Sequence, residues 1–116
     1  LRASGVRLAV VSNSDGTVAA ELEQAGFGGL FEVVVDSHVV GVSKPDPAIF
    51  RLAMERMRVA PSRTWYVGDS IFHDVGGAAT AGMARAILID PLDLHDHYQD
   101  RIRSVADLPG LVGGVG

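Results

Sequence analysis

Four short apolar runs govern what this chain can become: Val6 to Val11, Phe31 to Val35, Thr64 to Gly68 and Arg85 to Ile89. None alternates apolar with polar residues as a half-exposed strand does. Near-continuous runs of this length, rich in β-branched residues, belong to strands covered on both faces, the condition of a parallel sheet. Between the runs the apolar positions change to helical spacing. Val18, Leu22 and Ala25 recur from Asp15 or Gly16 onward, and Gly26 is placed to end that helix. Ile49, Phe50, Ala53, Met54 and Met57 form a second stripe, which reads as core. Alternation of strand and helix throughout predicts a single α/β domain over residues 1–116, built on a doubly wound parallel sheet.

Two stretches specify their local geometry closely. In Ser43-Lys44-Pro45-Asp46-Pro47, Pro45 forces Lys44 out of the helical region, Asp46 can cap, and Pro47 suits the first helical position. In Trp65 to Met83, a strand ends at Asp69 and turns at once into a helix of Gly76, Gly77, Ala78, Ala79, Ala81 and Gly82. Residues this small let a helix lie close against whatever it packs on. The tail carries less pattern: Asp93 to Tyr98 reads as a polar loop, Val105 to Val112 as a short closing turn or helix, and Gly113 to Gly116 as a frayed end.

Bulk composition removes several classes of function. The 116 residues are 47% hydrophobic, enough for a real core, and their formal net charge is −4 with no basic run, so a nucleic-acid partner is not expected. There is no cysteine, which excludes disulfides and thiolate metal sites, and no apolar run approaches a membrane span. A cytoplasmic setting is the default expectation. The chain starts without Met, a few residues ahead of its first strand, and so reads as the interior of a longer protein.

Four residues fall at strand carboxyl ends or in the loops on that side: Ser12, Lys44, Asp69 and Asp74. This is where open α/β sheets bind ligands. The Ser12 hydroxyl, with the backbone N–H groups of Ser12, Asn13 and Ser14 near a helix start, can hold phosphate oxygens, and a rigidly presented Lys44 can neutralise them. Two carboxylates converging on one point repel, and a hard cation such as Mg²⁺ relieves them. Together these are the parts of phosphoryl transfer, where positioning and charge neutralisation supply most of the catalysis.

Val10-Val-Ser-Asn13, Ser43-Lys-Pro-Asp-Pro-Ala-Ile-Phe50 and Val67-Gly-Asp-Ser-Ile-Phe-His-Asp74, in that order, resemble the second, third and fourth motifs of the haloacid dehalogenase-like hydrolases. The resemblance spans nearly the whole chain. It implies a Rossmann-like core and a Mg²⁺-dependent phosphatase acting on a small phosphorylated metabolite. Ser12 would bind the phosphoryl group, Lys44 would hold nucleophile and phosphate charges, and Asp69 with Asp74 would hold or orient the metal. Members use an aspartate nucleophile in an Asp-x-Asp motif ending a first strand, and no two aspartates of this sequence lie two positions apart. Asn13-Ser-Asp15-Gly-Thr17 imitates that motif with Asn in place of the nucleophile. Were it that motif, a second hydroxyl-bearing strand should come between it and Lys44, and the only candidate, Phe31 to Ser37, leads into Lys44 too directly, so Asp15, Gly16 and Thr17 read as helix-start chemistry.

The nucleophile strand of the family lies between the strands that correspond here to Val6–Val11 and Thr64–Gly68. Without it, two rows of backbone donors and acceptors face each other across roughly twice the usual 4.8 Å spacing. An upstream segment, a strand from a second copy, or direct closure of the two neighbours would resolve this, and the first is expected. The isolated chain is then expected to be inactive. A non-catalytic module for assembly or for phosphate or metal binding is the alternative. A metal-free dehalogenase is disfavoured because Asp69 would be needless charge. His73 is expected to face the site opening or solvent, Asp93, His95, Asp96 and His97 to be solvated loop residues, and Trp65 and Tyr66 to serve packing.

Overall fold

The computed structural model describes residues 5–27 and 29–109, so the expectation for Gly113 to Gly116 and the end of that for Val105 to Val112 lie outside the described residues. Among the described residues, five strands and four α-helices follow one another as β1 (Ala9–Ser12), α1 (Val18–Gln24), β2 (Val33–Asp36), α2 (Ser37–Val40), α3 (Pro47–Met57), β3 (Trp65–Gly68), α4 (Gly77–Thr80), β4 (Arg85–Ile89) and β5 (Arg101–Ile102). All strand pairs are parallel. Ala9 through Ser12 face Val33 through Asp36, Trp65 through Gly68 face Arg85 through Leu88, and Leu88 and Ile89 face Arg101 and Ile102.

The α/β class is as the sequence predicts, with corrections of detail. β1 and β2 begin later than the apolar runs and each extends onto a polar residue, Ser12 and Asp36. β5 and α2 have no sequence signal of their own. β5 is two residues long, and its pairing with β4 rather than its composition makes it a strand. The larger difference is that the strands form two sheets, β1–β2 and β3–β4–β5. Direct closure of β1 onto β3 is therefore not the arrangement adopted. What crosses between them is a side chain: the Tyr66 hydroxyl donates to the Val11 carbonyl at 3.1 Å.

One core serves both sheets. Val35 of β2, Ile49, Phe50, Ala53 and Met54 of α3, and Ala78 and Ala81 at α4 are buried together. The α3 stripe is the one the helical spacing indicates, and its N-terminus is capped by the Asp46 carboxylate, which accepts from the Ala48 amide at 2.9 Å. The small residues of α4 serve close approach. A Cβ on Gly77 would enter the Phe50 ring and come within 3.0 Å of the Pro45 carbonyl. Only glycine lets α4 rest on α3 and on the loop that carries Lys44.

Candidate active site

Lys44 is held at both ends. Its backbone is clamped to the end of β1 by the Asn13 side chain, whose Oδ1 accepts from the Lys44 amide at 2.8 Å and whose Nδ2 donates to the Lys44 carbonyl at 3.1 Å. Its ammonium donates to Asp74 Oδ1 at 2.6 Å and to the Tyr66 hydroxyl at 3.3 Å. The pair is nearly dry, with 14% of the Lys44 side chain and 4% of that of Asp74 exposed. An ion pair this buried persists only when hydrogen bonds satisfy its remaining lone pairs, and here they do. The other Asp74 oxygen, Oδ2, accepts from the backbone N–H groups of Asp69 and Ser70, both at 3.0 Å.

The chain between β3 and α4 makes that possible. Residues Ile71–Gly76 form a wide π-helical turn in which the Val75 amide reaches back to the Ser70 carbonyl, a geometry frequent at functional sites. It swings Asp74 inward over the last residue of β3. A Cβ at Gly68 would collide with the Asp74 carboxylate, so the glycine preceding Asp69 is required by the side chain five residues beyond Asp69. Asp69 itself is exposed.

The five residues singled out from the sequence thus lie on one edge. Ser12 ends β1, Asn13 joins β1 to Lys44, Lys44 joins Asp74, and Asp74 joins the Asp69 amide. Three details of the geometry at this edge bear on what each group can do. Both polar atoms of the Asn13 side chain are committed to Lys44, so that side chain positions the lysine. The Ser14 amide is not open to a ligand, because it donates to Ser37 Oγ at 3.1 Å. The two carboxylates are not equivalent: Asp74 is buried and accepts from a cation and two amides, whereas Asp69 is exposed.

The α1 start likewise uses a partner from afar. Thr17 makes no cap; its hydroxyl lies 2.6 Å from Asp15 Oδ1 and 2.7 Å from Glu21 Oε1. The Val18 amide instead donates to the buried Asp36 at the end of β2, which also accepts from the His38 amide at the start of α2. His73 is exposed as expected, its ring nitrogen 3.2 Å from the Ser70 hydroxyl. Asp93 pairs with Arg101, and among the described residues no three His, Asp or Glu side chains gather into a metal cluster.

Tyr66 is the residue that sequence reasoning assigned to packing and the structure places in the site. Its ring does pack, edge-on to Phe50 with centroids 4.8 Å apart. Its hydroxyl sits between Lys44 and Val11. Burial, with the nearby Asp74 and Asp69 charges, pushes its ionisation well above the ordinary tyrosine range, so it stays a neutral donor. A signal existed in the period of two along β3: Tyr66 and Gly68 share a face, the face on which Asp74 packs.

A parallel α/β core with a lysine–aspartate pair at its carboxyl edge defines a class, and the chain belongs to it: the haloacid dehalogenase-like hydrolase family, whose model matches residues 1–82. Its relatives include phosphatases. The mouse haloacid dehalogenase-like hydrolase domain-containing protein 3 is 36% identical over 110 residues, 95% of this chain and 44% of that protein. Phosphoserine phosphatase of Thermus thermophilus is 40% identical over 90 residues, 77% of this chain and 36% of the enzyme. The crystal structure of a HAD phosphatase from Thermococcus onnurineus superposes with a TM-score of 0.90 at 32% identity, covering 98% of this chain and 54% of that one. The chain therefore spans less than half the length of these two curated relatives.

Proposed function

We infer that this chain supplies the phosphate- and metal-binding half of a Mg²⁺-dependent phosphoric monoester hydrolase for a small phosphorylated metabolite. The observation that carries the reading is the Lys44 ammonium, buried against Asp74 and Tyr66 at the edge where Ser12 and Asp69 also lie. In this reading the Ser12 hydroxyl donates to a phosphoryl oxygen and Lys44 offsets the phosphate charge. Asp74 keeps Lys44 in place and shapes the loop that presents Asp69.

The donor set fits Mg²⁺, which takes one or two carboxylates and completes its shell with waters and substrate phosphate. Asp69 is the direct ligand in this assignment and Asp74 orients from behind, since its oxygens are already engaged. Bound there, the cation would neutralise developing charge on the phosphoryl group. The covalent step needs a nucleophile that no Asp-x-Asp in the sequence provides. We assign it to a strand entering between β1 and β3, carried by a further segment of the protein or by a second copy. The two-sheet arrangement and the relatives' greater length support this. Transfer of the phosphoryl group to that carboxylate breaks the ester P–O bond, the leaving oxygen takes a proton from water or from an acid on the same added segment and departs as the alcohol, and water then cleaves the acyl phosphate.

Among the described residues no helix is long and apolar enough to cross a membrane, and a cysteine-free chain accords with a cytoplasmic setting. Turnover of p-nitrophenyl phosphate with Mg²⁺ tests the assignment. The 116-residue chain should be inactive, yet bind Mg²⁺ weakly in a calorimeter, with binding lost in Asp69→Asn. Strong turnover by the chain alone, abolished by Asp69→Asn, would falsify the external nucleophile.

A further inference from the structure

An ammonium has three N–H donors. One from Lys44 goes to Asp74 and one to Tyr66. A contact to Asp74 alone fixes how far the nitrogen lies from that carboxylate but leaves it free to swing about the contact. The second contact, from a different element, removes that freedom. We propose that Tyr66 is a positioning residue for Lys44, orienting the ammonium so that its third N–H is left for the phosphoryl group; this deepens, and rests on, the phosphatase reading.

Tyr66 is suited to the task because its own hydroxyl is fixed. The hydroxyl donates to the Val11 carbonyl at 3.1 Å, and its oxygen accepts from the Lys44 ammonium at 3.3 Å. The ring is braced edge-on against Phe50, at 84° between planes. Val11 directly precedes Ser12, so one phenol ties the strand end bearing the phosphate-binding hydroxyl to the neutralising lysine. Phenylalanine would fill the same space and keep the Phe50 contact. It would leave both the ammonium and the Val11 carbonyl one partner short, which separates positioning from packing.

The test uses Tyr66→Phe in the 116-residue chain, a nearly isosteric change, with two NMR readouts. In the unmutated chain the two Lys44 Cε protons should be inequivalent, the mark of an immobilised side chain. In Tyr66→Phe they should merge while the Phe50 ring resonances stay in place. Inorganic phosphate, titrated against the Lys44 signals, should bind about tenfold more weakly to the variant, the scale of one hydrogen bond to a charged group. Introduced into Lys44→Met, where phosphate binding is read from the Ser12 and Asn13 amide signals, the same change should weaken it no further, since the two residues act as one unit. Lys44 Cε protons that stay inequivalent in Tyr66→Phe, or losses that add in the double variant, overturn the proposal. If phosphate leaves the unmutated chain unperturbed, the phosphatase reading fails, and the Cε measurement still decides for or against Tyr66.

Discussion

At residue scale the site depends on what surrounds Asp74. Its inward pose requires a bare backbone at Gly68, where any Cβ meets the carboxylate. Gly68→Ala is therefore expected to destabilise by about 2 kcal/mol through overpacking and to release Lys44, read as a lower urea midpoint together with disordered Lys44 resonances. A second carboxylate, Asp90, is buried at the end of β4. Burial alone would raise its pKa, but the His95 and Leu94 amides and Arg101 outweigh it and hold the carboxyl below its ordinary value. A depressed folded value means that the unfolded chain takes up the proton first. The stability Asp90 contributes is thus complete above the ordinary carboxylate range and disappears as pH falls through the lower folded value. Acid titration should weaken protection of the Leu94 and His95 amides, and Asp90→Asn should flatten that dependence; an unchanged acid profile in the variant would refute the assignment.

At the scale of elements, the short helices around the site start from distant side chains. Asp36 accepts at 3.3 Å from the Val18 amide and at 2.9 Å from the His38 amide, so one buried residue begins both α1 and α2. Asp36→Ala should cost about 1–2 kcal/mol, the usual loss for a cap, measured by chemical denaturation, with Asp36→Asn intermediate because it retains an acceptor for one of the two amides. A stability equal to that of the unmutated chain would show that water replaces the carboxylate. The sequence placed the α1 start at Asp15 to Thr17 because those residues have helix-start character; the capping acid instead arrives through the pairing of Ser12 with Asp36. Local propensity names residues able to cap, whereas strand register selects the one that does.

At the scale of the whole molecule, the two sheets share a core through α3 and α4 but no backbone ladder. Every described residue of the candidate site lies at the seam between them or on its rim. Amide hydrogen exchange should report this directly. The amides at the Leu88–Ile89 end of β4, where it lies between β3 and β5, should be the slowest, and the amides of β1 and β3 that face the seam should exchange much faster. A strand supplied between β1 and β3 should protect them. Equal protection on both sides of β3 in the isolated chain would contradict the arrangement.

The α/β class, the apolar strands, the α3 stripe and the carboxyl-edge residues Ser12, Lys44, Asp69 and Asp74 were all determined by the sequence alone. These follow from periodicity, Pro and Gly placement and the rule that strand ends bind ligands, which are local properties. Tertiary structure alone decided which carboxylate stays open, that the Asn13 and Tyr66 side chains serve Lys44, and that β5 exists at all. Each of those depends on groups far apart in the chain: Asn13 and Lys44 are brought together across α1, β2 and α2, and Lys44, Tyr66 and Asp74 across α3 and β3. A hydrogen-bond partner is set by distance in space, and periodicity along the chain carries no record of it.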